Sequence, residues 1–232
     1  MEKKKPTGSM GSLVLGSEAE RRFDPITFPE TKAAVEKFIL DCAFRSAKKF
    51  GVRMMDIQEE PKQNAENHFD FTLKTTKGIE YLDLVEIIPS SWVGGPHSYA
   101  RGGYNIGEFA DAIYSEIEKK SRHYGKQDGI QVNLLLYVTE SNLTPHPPVL
   151  DLLSFLCSKR DLGFRSIWVY IPDNQETGQI RTLFPTPDGY FQTFDETLAR
   201  NRGILMADFS TAKPADSGGF VVKLSPILRN TD

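Results

Sequence analysis

The sequence predicts an α/β protein in which a mixed central sheet is flanked by helices. Three observations support this class. Apolar residues recur every three or four positions in three segments, as in amphipathic helices. Runs rich in apolar residues, typical of strands, lie between those segments, and the order through residue 171 is α, β, β, β, α, β, α, β. Because crossovers through helices bring later strands into parallel pairing, the hairpin and the crossovers together predict a mixed sheet.

Start and stop signals mark the predicted helices. The first lies in PETKAAVEKFILDCAFRSAKKFG, with Pro29 near its start and Gly51 at its end. The second lies in EFADAIYSEIEKKSRHYG, where an apolar stripe runs from Phe109 to Tyr124. The third lies in PPVLDLLSFLCSKRDLGF. Each helix therefore has an apolar face that can pack on the sheet.

Strands are predicted between and after these helices. VRMMDIQE is a candidate short strand, and residues 69–75 and 79–88 form a predicted hairpin with Gly78 available for a positive φ. Two buried strands follow, in IQVNLLLYVTE and SIWVYIPD. Three short strands are predicted further on, in GQIRTLFP, GYFQTF and GGFVVKL.

Composition indicates one domain that buries a sizeable core, because 39% of the 232 residues are apolar. We expect a flexible leader at 1–20 and a single α/β domain at 21–232, with its core at about 30–171 and a C-terminal β-rich extension at about 176–232. A net charge of −3 excludes a global basic field. Cys42 and Cys157 are predicted to be buried thiols. With no long apolar window and no signal-like region, we expect no membrane partner and a cytoplasmic protein.

Carboxylates stand among apolar residues in HFDFTLKTTKGIEYLDLVEII. Side chains alternate between the faces of a strand, so Asp70 points away from the face that carries Phe69 and Phe71. Both faces of the strand at 79–88 are largely apolar. Asp83 and Glu86 therefore need an ion pair, a hydrogen bond or a metal, unless the end of the strand is open to water.

The pattern FDF followed by LDLVEI, in the element order above, resembles the PD-(D/E)XK nuclease superfamily over residues 30–140. The resemblance implies an αβββαβ restriction-endonuclease-like core and a divalent-metal-dependent nuclease. It assigns Asp70 and Glu86 as ligands of Mg²⁺ or Mn²⁺ and nucleic acid as the partner. The family lysine lies two residues after the second acid, and this chain has Ile88 there. The resemblance is therefore to a divergent member.

A substitute lysine is predicted on the second helix. Some members of that superfamily supply the lysine from the following helix, and here Lys120 lies on the stripe that faces the sheet. The predicted catalytic set is therefore Asp70, Glu86 and Lys120. Other readings stay open: Asp70 as an exposed strand residue, Glu86 in a structural ion pair with Arg101, Arg122 or Lys120, and Lys120 as a surface cation.

A glycine-rich segment at 90–107 carries aromatic and cationic side chains next to the predicted acids. Such a composition suits base stacking and phosphate contact, although a lid or a partner-binding loop fits equally well. The segment's His97 could also serve as a ligand or a general acid. The candidate substrate-binding residues are Trp92, His97, Tyr99 and Arg101, with Tyr124 on the second helix.

Three classes of function remain open. The first is the metal-dependent nuclease, and the second is an inactive nuclease-fold protein that binds nucleic acid or a protein. The third is a small-molecule enzyme on another α/β fold. The sequence leaves open a homodimer or a protein partner. It contains no zinc-ligand spacing, no GxxxxGK[ST] phosphate loop and no GxSxG nucleophile elbow.

Overall fold

The computed structural model describes residues 10–15, 21–64, 69–88, 103–124, 130, 132–205, 213–214 and 220–221. The helices are α1 (Lys32–Phe50), α2 (Ile106–Tyr124), α3 (Pro147–Ser158) and α4 (Glu196–Arg200). The strands are β1 (Gly11–Leu15), β2 (Arg21–Pro25), β3 (Lys62–Gln63), β4 (Phe71–Thr75), β5 (Gly78–Glu86), β6 (Gly103–Asn105), β7 (Val132–Tyr137), β8 (Phe164–Pro172), β9 (Gly178–Phe184), β10 (Gly203–Leu205), β11 (Lys213–Pro214) and β12 (Phe220–Val221).

Six strands form one mixed sheet in the order β3-β4-β5-β7-β8-β9. The central strands β5, β7 and β8 are parallel, because α2 and α3 connect them as crossovers. The flanking strands β4 and β9 pair antiparallel to this centre. The prediction of a mixed sheet flanked by helices is confirmed.

Helices cover both faces of the sheet. On one face, α1 packs through Ile39 and Leu40 on Leu82 and Leu84 of β5. On the other face, α2 and α3 pack on Val85 and on apolar residues of β7 and β8. Consecutive β5 side chains therefore enter opposite layers, which explains why both faces of this strand read as apolar in the sequence. The predicted thiols, Cys42 and Cys157, are both buried and free.

Helix α1 ends at the predicted Gly51, and a threonine that was not among the predicted signals caps its start. Thr31 is the N-cap residue, and its side chain accepts a hydrogen bond from Ala34 N at 3.3 Å. Gly51 ends the helix with φ 68°, a left-handed conformation that glycine adopts without steric cost. The predicted hairpin also forms, with Gly78 at φ 110°.

Four local predictions differ from the structure. Residues 11–15 form a strand paired with β2, where a flexible leader was expected. The segment VRMMDIQE contributes only an isolated bridge between Ile57 and Thr75, among the described residues. GYFQTF forms successive turns instead of a strand. The end of the predicted loop, at 103–105, pairs with β10.

Within the described residues, no helix is long and apolar enough to cross a lipid bilayer.

Gly178 is a position where the fold admits no side chain. A Cβ atom built there would overlap the Ile171 carbonyl oxygen and would lie 2.7 Å from Pro172 Cα. The Gly178 N–H also donates to Ser46 Oγ at 2.9 Å, which fixes α1 to β9. We therefore expect Gly178→Ala to lower the free energy of unfolding by about 2 to 3 kcal/mol, because backbone must move.

Urea unfolding measures this effect, with Gln179→Ala as the control at the adjacent, exposed position. The control should change the free energy of unfolding by less than about 0.5 kcal/mol. Equal stabilities for the two variants would contradict the close approach of the backbones at Gly178.

Candidate active site

The first acid of the sequence analysis, Asp70, lies beside β5 rather than on the paired part of β4. The ladder between β4 and β5 runs from Thr75↔Gly78 to Phe71↔Leu82, so the next residues along, Asp70 and Asp83, face each other where the ladder ends. Asp70 Oδ2 accepts the Leu84 N–H at 2.7 Å. This side chain therefore takes the place of the missing strand partner and is held against β5.

Asn64, the residue after β3, holds the backbone at Asp70 in place. Asn64 N donates to the Asp70 carbonyl oxygen at 3.0 Å, and Asn64 Nδ2 donates to the Phe69 carbonyl oxygen at 2.8 Å. Backbone hydrogen bonds on both sides thus restrict the position of the Asp70 carboxyl. The Asp70 residue itself is only partly buried, so it can be reached from solvent.

Asp83 is fully buried, with 0% of the residue exposed. The Lys120 ammonium on α2 lies 2.6 Å from Asp83 Oδ2, and about a third of the Lys120 side chain is exposed. Lys120 and Asp83 form an ion pair, but the angles between them are not those of a hydrogen bond. Neither Asp83 oxygen has a hydrogen bond of normal geometry from the described residues. A buried carboxylate with so little compensation is costly, which is a common property of functional sites.

Aromatic rings enclose the lysine side of this site. The Tyr124 ring lies 5.6 Å from the Lys120 ammonium and 4.6 Å from the Phe69 ring, and Phe69 lies 4.8 Å from Tyr81. Burial, followed by the negative charge of Asp83, raises the pKa of the Tyr124 hydroxyl. Tyr124 therefore stays protonated at neutral pH and is a hydrogen-bond donor beside the carboxylates.

A second ion pair lies on the α1 side. Glu36 is 5% exposed, and the Lys32 ammonium lies 3.1 Å from its Oε1. The charges of Asp70 and Asp83 also favour the protonated form of Lys32, although burial opposes it. We call Glu36, Asp70 and Asp83, with Lys32 and Lys120, the carboxylate centre.

The balance of charge in the carboxylate centre determines the protonation of Asp70. Burial, followed by the charges of Asp83 and Glu36, raises the pKa of Asp70 from 3.8 to about 7. Asp70 lowers the cost of burying several carboxylates together by holding a proton itself. At neutral pH a proton is therefore readily gained or lost at the Asp70 carboxyl.

Glu86 belongs to the other face of β5. By strand alternation it shares that face with Leu82 and Leu84, whereas Asp83 faces α2. Its Oε1 accepts a short hydrogen bond from the Thr139 hydroxyl, and burial raises the pKa of the Glu86 carboxyl. Glu86 is thus bound to Thr139, just beyond β7, and strand alternation separates it from the ion pair of Asp83. The charge of Lys32 on α1 still lowers the pKa of Glu86, and the charge of Glu36 raises it.

Some of the predicted site residues come together and others do not. Asp70, Lys120 and Tyr124 meet around Asp83, which the sequence singled out because both faces of its strand are apolar. Sequence reasoning missed Glu36; its position between apolar neighbours on the buried face of α1 was the available signal. Four candidates lie outside the described residues: Trp92, His97, Tyr99 and Arg101.

The described residues do not fit the predicted metal site. They contain no group of three or more His, Cys, Asp or Glu side chains arranged to hold a metal ion. Asp70 and Glu86, the predicted ligands, are bound to Leu84 N and to the Thr139 hydroxyl, respectively. We therefore derive no chemical step through a metal, and Mg²⁺ or Mn²⁺ stays a prediction.

Among known proteins, a solved structure is similar to this chain. No family model and no curated protein matches the chain. A solved structure from Pseudomonas aeruginosa strain PAO1, described as a protein of unknown function of the Monooxygenase Superfamily, is similar at 19% identity. The match covers 77% of this chain and 84% of that one, with a TM-score of 0.37.

This comparison corrects the family prediction. The matching structure carries a monooxygenase-superfamily description and not that of a PD-(D/E)XK nuclease. The nuclease prediction is therefore wrong, and so is its alternative, an inactive nuclease-fold protein. The geometry gives a physical reason: Lys120 pairs with Asp83, so it does not complete an Asp70–Glu86 site. At this TM-score, the monooxygenase description does not transfer to this chain.

Proposed function

We propose that the protein is an enzyme that moves a proton on a small polar substrate, with Asp70 as the general acid–base. The observation that carries this proposal is the contact of a partly exposed carboxyl, Asp70, with a fully buried one, Asp83, beside a lysine whose side chain reaches solvent. A small-molecule enzyme was the third class that the sequence left open.

Each side chain has a distinct part in this proposal. Ionised Asp70 removes a proton from a carbon next to a carbonyl group and later returns it. The Lys120 ammonium stabilises the negative charge that develops on the substrate oxygen. Asp83 is a positioning residue, since it holds Lys120 and its charge raises the pKa of Asp70. A pKa of about 7 suits Asp70 for proton transfer in both directions at neutral pH.

The proposal rests on chemistry that the described residues can perform without a cofactor. A cytoplasmic location, a homodimer or protein partner, and contact with nucleic acid stay predictions. Apart from residues 11–15, which form β1, the division into a leader and a single domain with a C-terminal extension stays a prediction as well.

The test uses 5-nitrobenzisoxazole, which reports a reactive carboxylate base. The base takes the ring C–H proton, the N–O bond breaks, and a coloured phenolate forms, so the reaction needs no other reagent. We expect the protein to accelerate this ring opening with a midpoint at pH about 7, as Asp70 ionises. Asp70→Asn should reduce the rate to the buffer background, because an amide cannot accept the proton.

The matched control is Asp188→Asn, which removes an exposed carboxylate in a turn. It should keep the full rate. A rate retained by Asp70→Asn, or no acceleration by the natural sequence, would contradict the assignment of Asp70 as the base.

A further inference from the structure

A second cavity lies at the other end of the parallel strands, where β5, β7 and β8 begin. Its volume is about 520 Å³, within the usual range for small-molecule sites. Asn133 of β7 and Trp168 of β8 line it, together with Glu80 of β5. None of the five residues of the carboxylate centre lines this cavity, so the cavity is separate from that centre.

Two buried polar atoms of the cavity lining have no hydrogen-bond partner among the described residues. They are Asn133 Oδ1 and Trp168 Nε1. Asn133 is 0% exposed and Trp168 is 3% exposed. Asn133 pairs with Ser166 in the sheet, so Trp168 is the next residue along β8 on the same face. An unmet acceptor and an unmet donor thus lie near each other on the same cavity wall.

A hydrogen-bond network fixes which Asn133 atom is the acceptor. Asn133 Nδ2 donates to Glu80 Oε2 at 2.9 Å. Glu80 Oε1 in turn accepts from Arg165 at 2.9 Å and from Thr75 Oγ1 at 3.0 Å. Because the carboxylate can only accept from the amide, Asn133 presents its NH₂ to Glu80 and keeps Oδ1 for another donor.

The residues that line the cavity carry a net positive charge, and others among them form an apolar wall. Three cationic side chains line it, against two acidic ones. Glu80 pairs with Arg165, while Arg53 and Lys77 have no ion-pair partner within the described residues. Asp56 is the second acid, and its Oδ2 accepts from the Thr76 hydroxyl at 3.4 Å. Met54, Met55 and Pro187 supply the apolar wall.

We propose that this cavity binds a small carboxylate that carries an amide group, such as an N-acylated amino acid. The amide N–H donates to Asn133 Oδ1, and the amide carbonyl accepts from Trp168 Nε1–H. The carboxylate is attracted to Arg53 and Lys77, and the apolar acyl group packs on Met54 and Met55. This site is independent of the proposed proton transfer at Asp70.

The probe is hippurate (benzoylglycine), which has the ring, the amide and the carboxylate in one small molecule. Hippurate is titrated into the full chain, and the indole ¹H–¹⁵N resonance of Trp168 is followed by NMR. The Trp168→Phe variant assigns this resonance, because it removes the signal. We expect a saturable downfield shift. Replacing Arg53 and Lys77 together by Ala should weaken binding at least about fivefold, whereas Lys62→Ala, on an exposed lysine outside the cavity lining, should not.

A matched ligand tests the amide itself. 4-Phenylbutyrate keeps the ring, the carboxylate and the three-atom spacer between them but lacks the amide, so it should bind at least about fivefold more weakly than hippurate. No saturable shift of the Trp168 indole up to about 5 mM hippurate would overturn the proposal. Equal affinity for the two ligands, or binding that is insensitive to loss of both cations, would overturn it as well.

Discussion

Lys120→Met should lower the free energy of unfolding by about 3 kcal/mol, because it leaves the buried Asp83 carboxylate without its cation. Removing one partner of a fully buried ion pair lowers the free energy of unfolding by more than this. The effect is smaller here because the Lys120 side chain is about one third exposed, which weakens the interaction. Urea unfolding at pH 7 measures the change.

The neighbouring lysine provides a matched control. Lys119 is about half exposed and pairs with Glu116 three residues earlier on the same helix. Lys119→Met should therefore cost less than about 0.5 kcal/mol. The double variant Asp83→Asn with Lys120→Met should regain most of the lost stability, because no buried charge remains. Equal effects for the two single lysine variants would contradict the ion pair of Lys120 with Asp83.

Asp70→Asn stabilises the protein at pH 8 and leaves its stability unchanged at pH 4. The pKa of Asp70 is raised in the folded state to about 7, from 3.8. The stability that depends on this group is therefore fully present below pH 3.8 and is lost as the pH rises through about 7, because the unfolded state ionises first. The loss is about 3 to 4 kcal/mol between pH 4 and pH 8. Asn resembles the protonated acid and removes this loss.

Urea unfolding of both proteins from pH 4 to pH 8 checks the result. The difference between them isolates Asp70, since Glu86, whose pKa is also raised, is present in both. A constant difference across this range would show that Asp70 acts only through its hydrogen bond to Leu84. A substitution that stabilises the protein and abolishes proton transfer would be an example of the stability–activity trade-off that is common at catalytic sites.

Local signals in the sequence were sufficient for the three long helices and the central strands, whereas the short helix α4 was not predicted. Helix α1 begins after Thr31, whose side chain caps it, and ends at Gly51, which adopts a left-handed backbone conformation. Both features depend on local chemistry. GYFQTF was wrong as a strand because its aromatic residues pack on one another and on α3: Phe191 and Phe194 both contact Phe155. Such long-range packing overrides β-propensity.

The site was predictable in part. The apolar neighbours of Asp83 showed that this acid needs a partner, and the stripe on α2 placed Lys120 on the sheet. The sequence did not show which acid the lysine would reach, because that depends on the register between β5 and α2. The pairing of β6 with β10 was equally beyond local signals, since about 100 residues separate the two strands.

The Asp70–Asp83 pair is the centre of the proposed mechanism, and the pKa of Asp70 is its direct measure. A ¹³C NMR titration of the Asp70 carboxyl carbon from pH 4 to pH 9 should give a midpoint at about 7 in the natural sequence. Asp83→Asn should lower this midpoint, because the neighbouring negative charge is lost while the burial remains. A midpoint near the ordinary aspartate value, unchanged by Asp83→Asn, would contradict the effect of Asp83 on Asp70 and the proposed function with it.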